Sequence, residues 1–323
     1  MLKNRPLIAA TIGDPAGIGP EVCVKAAQGI HGEGVFDVLL IGDIQVIQTA
    51  AEICGCHVPF RRVSAPRDGV RQNFIGVLDP RGGAAIEYLI GEASASAARA
   101  ALEWLSCGHD LGSRGLIDGL VLGPVNSEAL KLSGLIQHID QLQPEGTYML
   151  RVSGNLRVMP LTEHIPIRDV AATVSSASVM AAVSVLDEAL RKWGVERPRI
   201  AVAGLNPHAM FEEDATQIAP AVQALSGQGV GVIGPISPDS VFRKAFAGDF
   251  DAVVAMYHDQ GQIALKTAAF SGACTIYVGL SHVEIAIPHG TAYDIAGKGT
   301  ADSSSMAAGM RMAARLVSGA GFN

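Results

Sequence analysis

The sequence predicts an α/β protein of two domains built on mostly parallel sheets, and three observations carry that prediction. The chain has 323 residues, whereas a single hydrophobic core stops growing at about 250–300. Short β-branched apolar runs recur, each closed by glycine or a polar cluster and followed by helix-forming sequence, the alternation that builds parallel sheets. Three of these runs are followed by a histidine at a comparable distance, as though each strand delivered one imidazole to the same sheet edge.

Leu7 to Ile12 reads as a first buried strand, followed by GDPAGIGPE. The glycines there do not match the dinucleotide fingerprint, but Gly19 as a cap, Pro20 at the first helical position and Glu21 in the first turn make a helix start. Such an end favours an anion, and a tight strand-to-helix turn with no ligand explains the same residues equally well. Phe36 to Ile41 is a second strand, ended by Gly42-Asp43, with a helix to about Cys54. Val58 to Gly83 suggests extended segments, and Ala84 to Gly108 one long helix with Trp104 in the core. In LIDGLVLGPVNSEAL the strand–turn–helix pattern returns, capped by Asn126 or Ser127. Gly134 to Gly146 is a polar loop over a cleft, from which His138 and Asp140 can reach a substrate. Val170 to Trp193 reads as a helix, Ala219 to Leu225 begins another, and Asp239 or Ser240 starts a third.

The histidines concentrate the functional signal. The run from Leu156 to Leu161 precedes His164, Ile200 to Ala203 precedes His208, and Ala252 to Met256 precedes His258. Polar neighbours accompany each: Glu163, Asn206 and Asp259. If the strands are parallel and share a sheet, the imidazoles emerge where open α/β sheets bind ligands and can form a divalent metal site with open positions. A single loop histidine serves as well for surface hydrogen bonding; the repetition is what favours the metal. Near the C-terminus, PHGTAYDIAGKG allows close backbone approach, as a nucleotide loop requires. Asp294 can accept hydrogen bonds from ribose hydroxyls and would repel a 2′-phosphate, which favours NAD over NADP.

Composition narrows the classes. A net charge of −7 and a pI near 5.7, without a Lys/Arg cluster, give no footprint for nucleic acid. Hydrophobic residues make up 49% and mean hydropathy is +0.30, which supplies large cores and argues against disorder. The N-terminal apolar run of six residues is too short for a signal peptide or a membrane span. Five scattered cysteines fit reduced thiols, so a cytoplasmic protein is expected.

The segments GDPAGIGPE, LGPVN, GLNPHA, MYHDQG and HGTAYDIAGKG, in this order, resemble the 4-hydroxythreonine-4-phosphate dehydrogenase (PdxA) family from about Leu7 to past Ala301. The last segment also resembles the cofactor loop of the isocitrate and isopropylmalate dehydrogenases. The resemblance implies two α/β/α domains with an active-site cleft between them, which we place at 1–130 with 300–323 and at 131–299. It implies a homodimer whose subunits share metal ligands matching His164, His208 and His258, the metal being zinc, magnesium, manganese or cobalt. Lys266 matches a substrate-binding lysine, Asn126, His138 and Thr275 fall at substrate positions, and His289, Gly290, Thr291 and Asp294 match the NAD loop. The implied reaction is NAD-linked oxidation of a secondary alcohol in a hydroxy acid, followed by decarboxylation; Asp259, Lys266 and metal-bound water are the candidates for moving the proton.

Departures from the family pattern bear on the substrate. Ile139 stands where a threonine holds phosphate, Thr275 where an asparagine binds substrate, Glu284 where an arginine stands, and Ser127 replaces a lysine. A glycine-rich run is shortened to Met210-Phe211-Glu212. Glutamate in place of arginine would repel phosphate, so an unphosphorylated hydroxy acid, a four-carbon sugar acid or a cis-dihydrodiol carboxylate is an expected alternative. Two other classes stay open: a metal-dependent hydrolase and a non-catalytic acid-binding protein.

Overall fold

The computed structural model describes residues 5–70, 72–268 and 274–322. The chain divides into two compact units, Met1–Pro144 with Leu280–Ser318, and Glu145–Gly279 with Gly319–Asn323. The first unit opens with β1 (Leu7–Thr11), α1 (Gly19–Ile30), β2 (Asp37–Ile41), α2 (Ile44–Ile53), β3 (Phe60–Arg62), β4 (Ile75–Leu78), α3 (Ala95–Ser113), β5 (Gly119–Leu122) and α4 (Ser127–Leu132). The second holds β6 (Tyr148–Ser153), β7 (Leu156–Pro160), α5 (Ile167–Thr173), α6 (Ser176–Lys192), β8 (Ile200–Ala203), α7 (Ala219–Gly227), β9 (Val232–Ile236), α8 (Pro238–Phe246), β10 (Ala252–Ala255), α9 (His258–Ala268) and β11 (Cys274–Val278). β12 (Val283–Ala286) and α10 (Ser304–Val317) return to the first unit.

In the first unit the strands run in the order β3-β4-β2-β1-β5-β12, every pairing parallel. The chain moves from β1 toward β2 on one side and resumes at β5 on the other, so the order reverses between β1 and β5. Open α/β sheets bind ligands at the carboxyl ends of such a pair. β1 is buried at every position, which explains its continuous apolar sequence. Side-chain caps set the helix starts: Asp43 accepts from Gln45 N and Val46 N at 2.8 and 3.0 Å, and Ser94 from Ala97 N at 3.1 Å.

In the second unit the order is β11-β6-β7-β10-β8-β9. β11 and β6, and β6 and β7, pair antiparallel; β7, β10, β8 and β9 pair parallel. The three strands expected to precede histidines are therefore adjacent and codirectional. Their core is Leu156, Val158, Ala201, Ala203, Val253 and Ala255, packed against Val241 and Ala245 of α8 and Leu265 of α9.

Several expectations are corrected. The helix expected from Ala84 begins only at Ala95, because Gly91 takes φ +85° and bonds Ala16 O while Ser94 caps the helix. The helix expected over Val170–Trp193 is two, bent by 87°, with Ser175 capping the second. The helix start expected at Asp239 or Ser240 does fall there, α8 beginning at Pro238 after Ser237 with Asp239 in its first turn. Residues 280–299, expected in the second domain, fall in the first unit, since β12 pairs with β5.

Candidate active site

The second unit carries His164, His208, His258, Asp259, Lys266 and Thr275. His164 follows β7, and His258 is the first residue of α9 after β10. Their ring centroids lie 4.8 Å apart. The Asp259 carboxylate sits 2.7 Å from His258 Nδ1, which fixes the ring and leaves Nε2 for a ligand, as carboxylate–histidine–metal arrangements do. Lys266 is exposed two turns along α9. Thr275 is half-buried on β11, directly opposite Arg151 of β6.

His208 sits in a short turn, Pro207–Ala209, where His208 and Ala209 take φ of +58° and +54°. Non-glycine residues in this region store strain and cluster at functional sites. The buried Asp214 carboxylate holds the loop by accepting from Leu205 N at 2.7 Å and Asn206 Nδ2 at 3.1 Å. Asp214 opens a π-helical turn, Asp214–Ile218, a form frequent near functional sites. His208 Nδ1 lies 3.4 Å from Ser237 Oγ. Among the described residues, no group of three or more His, Cys, Asp or Glu side chains is placed to hold a metal ion. One chain thus brings His164 and His258 together and holds His208 on a separate loop. An imidazole pair with its orienting carboxylate suits a divalent cation in donor chemistry.

The first unit carries Asn126, His138, His289, Gly290, Thr291 and Asp294. Asn126 caps α4 through Glu128 N and Ala129 N, both at 2.9 Å, and its Nδ2 reaches Thr291 Oγ1 at 3.3 Å. Tyr293 OH donates to Asp14 Oδ2 at 2.7 Å. Burial raises the Asp14 carboxyl, with the Tyr293 hydrogen bond opposing. Burial and the bond to Asp14 both raise the Tyr293 hydroxyl. Asp14 and Asn126 follow β1 and β5, the pair between which strand order reverses. Among the described residues, His289 Nε2 is buried with no hydrogen-bond partner and nothing lies within 4 Å of the Cβ position at Gly290. Asp294 is an exposed carboxylate. An orphaned ring nitrogen beside bare backbone fits a polar cofactor at this loop. His138 is exposed, its Nδ1 3.1 Å from Asp140 Oδ2.

The anion site expected at GDPAGIGPE resolves toward a packed turn. Added β-carbons at Gly13, Gly17 and Gly19 would lie 2.3 Å from Pro124 O, 2.7 Å from Thr291 Cβ and 2.1 Å from Ile12 O. Glu21 is buried and accepts from Gly297 N and Gly299 N at 2.6 and 2.7 Å, while Lys25 Nζ donates to Gly299 O and Ala301 O at 2.6 and 2.8 Å. Sequence reasoning missed this grip on the 297–301 segment. The only available signal was the i, i+4 spacing of two opposite charges on an otherwise buried helix.

Glu284 is corrected most sharply. It is fully buried, its oxygens 3.0 Å from His109 Nε2 and 3.1 Å from His282 Nε2, so it does not stand in a pocket repelling phosphate. Burial alone would raise its carboxyl, but the two imidazole hydrogen bonds outweigh that and hold it below the usual glutamate range. Stability from this group is therefore present above the ordinary value of about 4.3 and lost as pH falls through the lower folded value. Glu284→Gln is expected to lower the melting temperature at pH 7, with the gap to wild type closing between about pH 5 and 3. A pH series of thermal melts checks this; a constant gap contradicts it. The Ile139 side chain lies outside the described residues.

Residues 35–313 match the family described as pyridoxal phosphate biosynthetic protein PdxA. The chain belongs to the PdxA family. A relative from Novosphingobium aromaticivorans, provisionally named a 4-hydroxythreonine-4-phosphate dehydrogenase, is 40% identical over 327 residues, covering 99% of this chain and 97% of that one. The crystal structure of a 4-hydroxythreonine-4-phosphate dehydrogenase from Burkholderia phymatum is 34% identical with TM-score 0.82, covering 97% of this PdxA-family chain and 99% of its own. The crystal structure of a terephthalate 1,2-cis-dihydrodiol dehydrogenase from Burkholderia xenovorans LB400 is 28% identical with TM-score 0.72, covering 97% and 98%. The family resemblance carried by five short segments thus extends over the whole chain.

Proposed function

We propose that this PdxA-family chain is a metal-dependent, NAD-linked dehydrogenase that oxidises the secondary alcohol of a hydroxy acid, with decarboxylation of the product. The observation that carries the reading is the His164–His258 pair at the ends of adjacent parallel strands, with Asp259 on the His258 ring. His164, His208 and His258 would hold the divalent cation, contributed across a homodimer. When bound, the cation supplies Lewis acidity toward an oxygen and NAD supplies the hydride acceptor.

The chain's own residues take the remaining roles. Asp259 keeps the His258 ring in place, which leaves Lys266 as the side chain available to pair with a substrate anion or move a proton. Thr275, Asn126 and His138 bind substrate. Thr291, His289 and Gly290 shape the loop around NAD, and Asp294 accepts its ribose hydroxyls. Free thiols at Cys23, Cys54, Cys56, Cys107 and Cys274 fit a reducing compartment such as the cytoplasm. Among the described residues no single helix is long and apolar enough to cross a membrane.

With Glu284 withdrawn from the pocket, a phosphorylated hydroxy acid resembling 4-hydroxythreonine 4-phosphate is the leading substrate class. The dihydrodiol dehydrogenase among the structural relatives supports a second reading, a cis-dihydrodiol carboxylate. NADH formation across both classes and free tetronic acids, with and without zinc, magnesium, manganese or cobalt, tests the proposal. Metal-dependent NADH with one class is the expected result. Ester or amide turnover without NAD would make the protein a hydrolase, and acid binding without turnover a binding protein; either outcome sinks the dehydrogenase reading.

A further inference from the structure

We propose that the Arg151–Glu163 ion pair is a positioning device for His164 that sets the divalent-metal affinity of the candidate site; the inference rests on the metal reading above. His164 is exposed and lies four residues beyond the end of β7, so burial of its own ring does not fix it. The intervening residues are tied on two sides. Toward β10, Leu161 N donates to Ala255 O at 2.8 Å and Thr162 Oγ1 to Met256 O at 2.9 Å. Toward β6, Arg151 Nη1 and Nη2 donate to Glu163 Oε1 and Oε2 at 2.9 and 2.7 Å.

The second tie is directional. A bidentate guanidinium–carboxylate pair fixes orientation as well as distance, and these side chains are only 8% and 17% exposed. Breaking a pair of this kind leaves a largely buried charge that must rearrange to reach water. Glu163 immediately precedes His164, so any such rearrangement moves the imidazole away from its place 4.8 Å from His258. Arg151 is also the cross-strand partner of Thr275, which puts the two side chains on one face of the β6–β11 pair. The ion pair therefore joins the histidine loop to the strand pair that carries a proposed substrate residue.

Cobalt(II) affinity of the full chain, measured by calorimetry and by the ion's absorption spectrum, tests this alongside thermal melts. Glu163→Gln is expected to weaken cobalt binding by about 10–100-fold, the range for losing a group that orients a ligand. Arg151→Lys, which keeps the charge but loses the fork, should weaken it less. The exchanged pair, Arg151→Glu with Glu163→Arg, should recover part of the loss. If Glu163→Gln fails to fold, Arg151→Lys against the exchanged pair carries the test. Wild-type affinity in both single variants, while His164→Ala loses binding, would overturn the inference and leave the metal reading standing. Affinity losses that follow the melting temperature and are not recovered in the exchanged pair would overturn it too. A wild-type protein that binds no cobalt would remove the metal reading and the inference with it.

Discussion

Replacing His258 with alanine is expected to cut kcat/KM by more than the roughly 10–100-fold that loss of an outer-shell partner costs, with little change in melting temperature. His258 stands at the first position of α9, its side chain 24% exposed, so its removal opens no deep cavity. What it removes is one ring of the His164 pair and the ring that the Asp259 carboxylate orients at this site. Residues acting as a unit are non-additive, so the His164→Ala/His258→Ala double variant should be scarcely worse than either single one. Steady-state kinetics at saturating metal and a thermal melt decide the matter. Wild-type turnover in the single variant would sink the metal-dependent reading.

Gly17→Ala is expected to act on the other unit and leave metal affinity unchanged. The added methyl would lie 2.7 Å from Thr291 Cβ and 2.8 Å from Thr291 O, where Ile18 N already bonds Thr291 O at 2.9 Å. Backbone on both sides cannot yield cheaply, and overpacking of this kind costs about 1–3 kcal/mol. The larger effect is functional, because displacement by about 1 Å at a positioned site can cost 10²-fold. KM for NAD should therefore rise by about that factor. Gly29→Ala, on the helix that follows this turn, is the control: among the described residues nothing lies within 4 Å of the new methyl, and helix propensity predicts a gain of roughly 0.5–1 kcal/mol. An unchanged KM for NAD in the Gly17 variant would separate this loop from the cofactor.

The parts of the molecule readable from sequence are those whose cause is local. β7, β8 and β10 are buried at every position, so their apolar runs are unbroken and their histidines fall at recognisable offsets. Family motifs added the 289–294 loop as the expected cofactor loop. β6 and β12 escaped because their apolar runs are interrupted by buried charges, Arg151 and Glu284, whose partners cannot be seen from the run itself. Glu284 meets His109 across 175 positions, and Glu21 meets Gly297 across 276. No periodicity reports contacts of that range, and a charge whose partner is unseen is naturally read as facing substrate. The helix expected from Ala84 failed for a related reason: alanine-rich sequence favours helix, but Gly91 is held in a left-handed conformation by Ala16, far away in the chain.

The grip of Glu21 and Lys25 on the 297–301 segment touches only main-chain atoms, namely Gly297 N, Gly299 N, Gly299 O and Ala301 O. Such a hold is indifferent to what the neighbouring side chains are. Asp294 is exposed, so it can be exchanged while the backbone beside it keeps its course, whereas Lys298 itself ties the main chain by donating to Asp294 O at 2.6 Å. A protein built this way separates the shape of this loop, the one proposed to hold the coenzyme, from the loop's chemical lettering. On the proposed NAD reading, dinucleotide preference becomes a trait open to drift or redesign at exposed Asp294, so long as the first helix keeps its two charges.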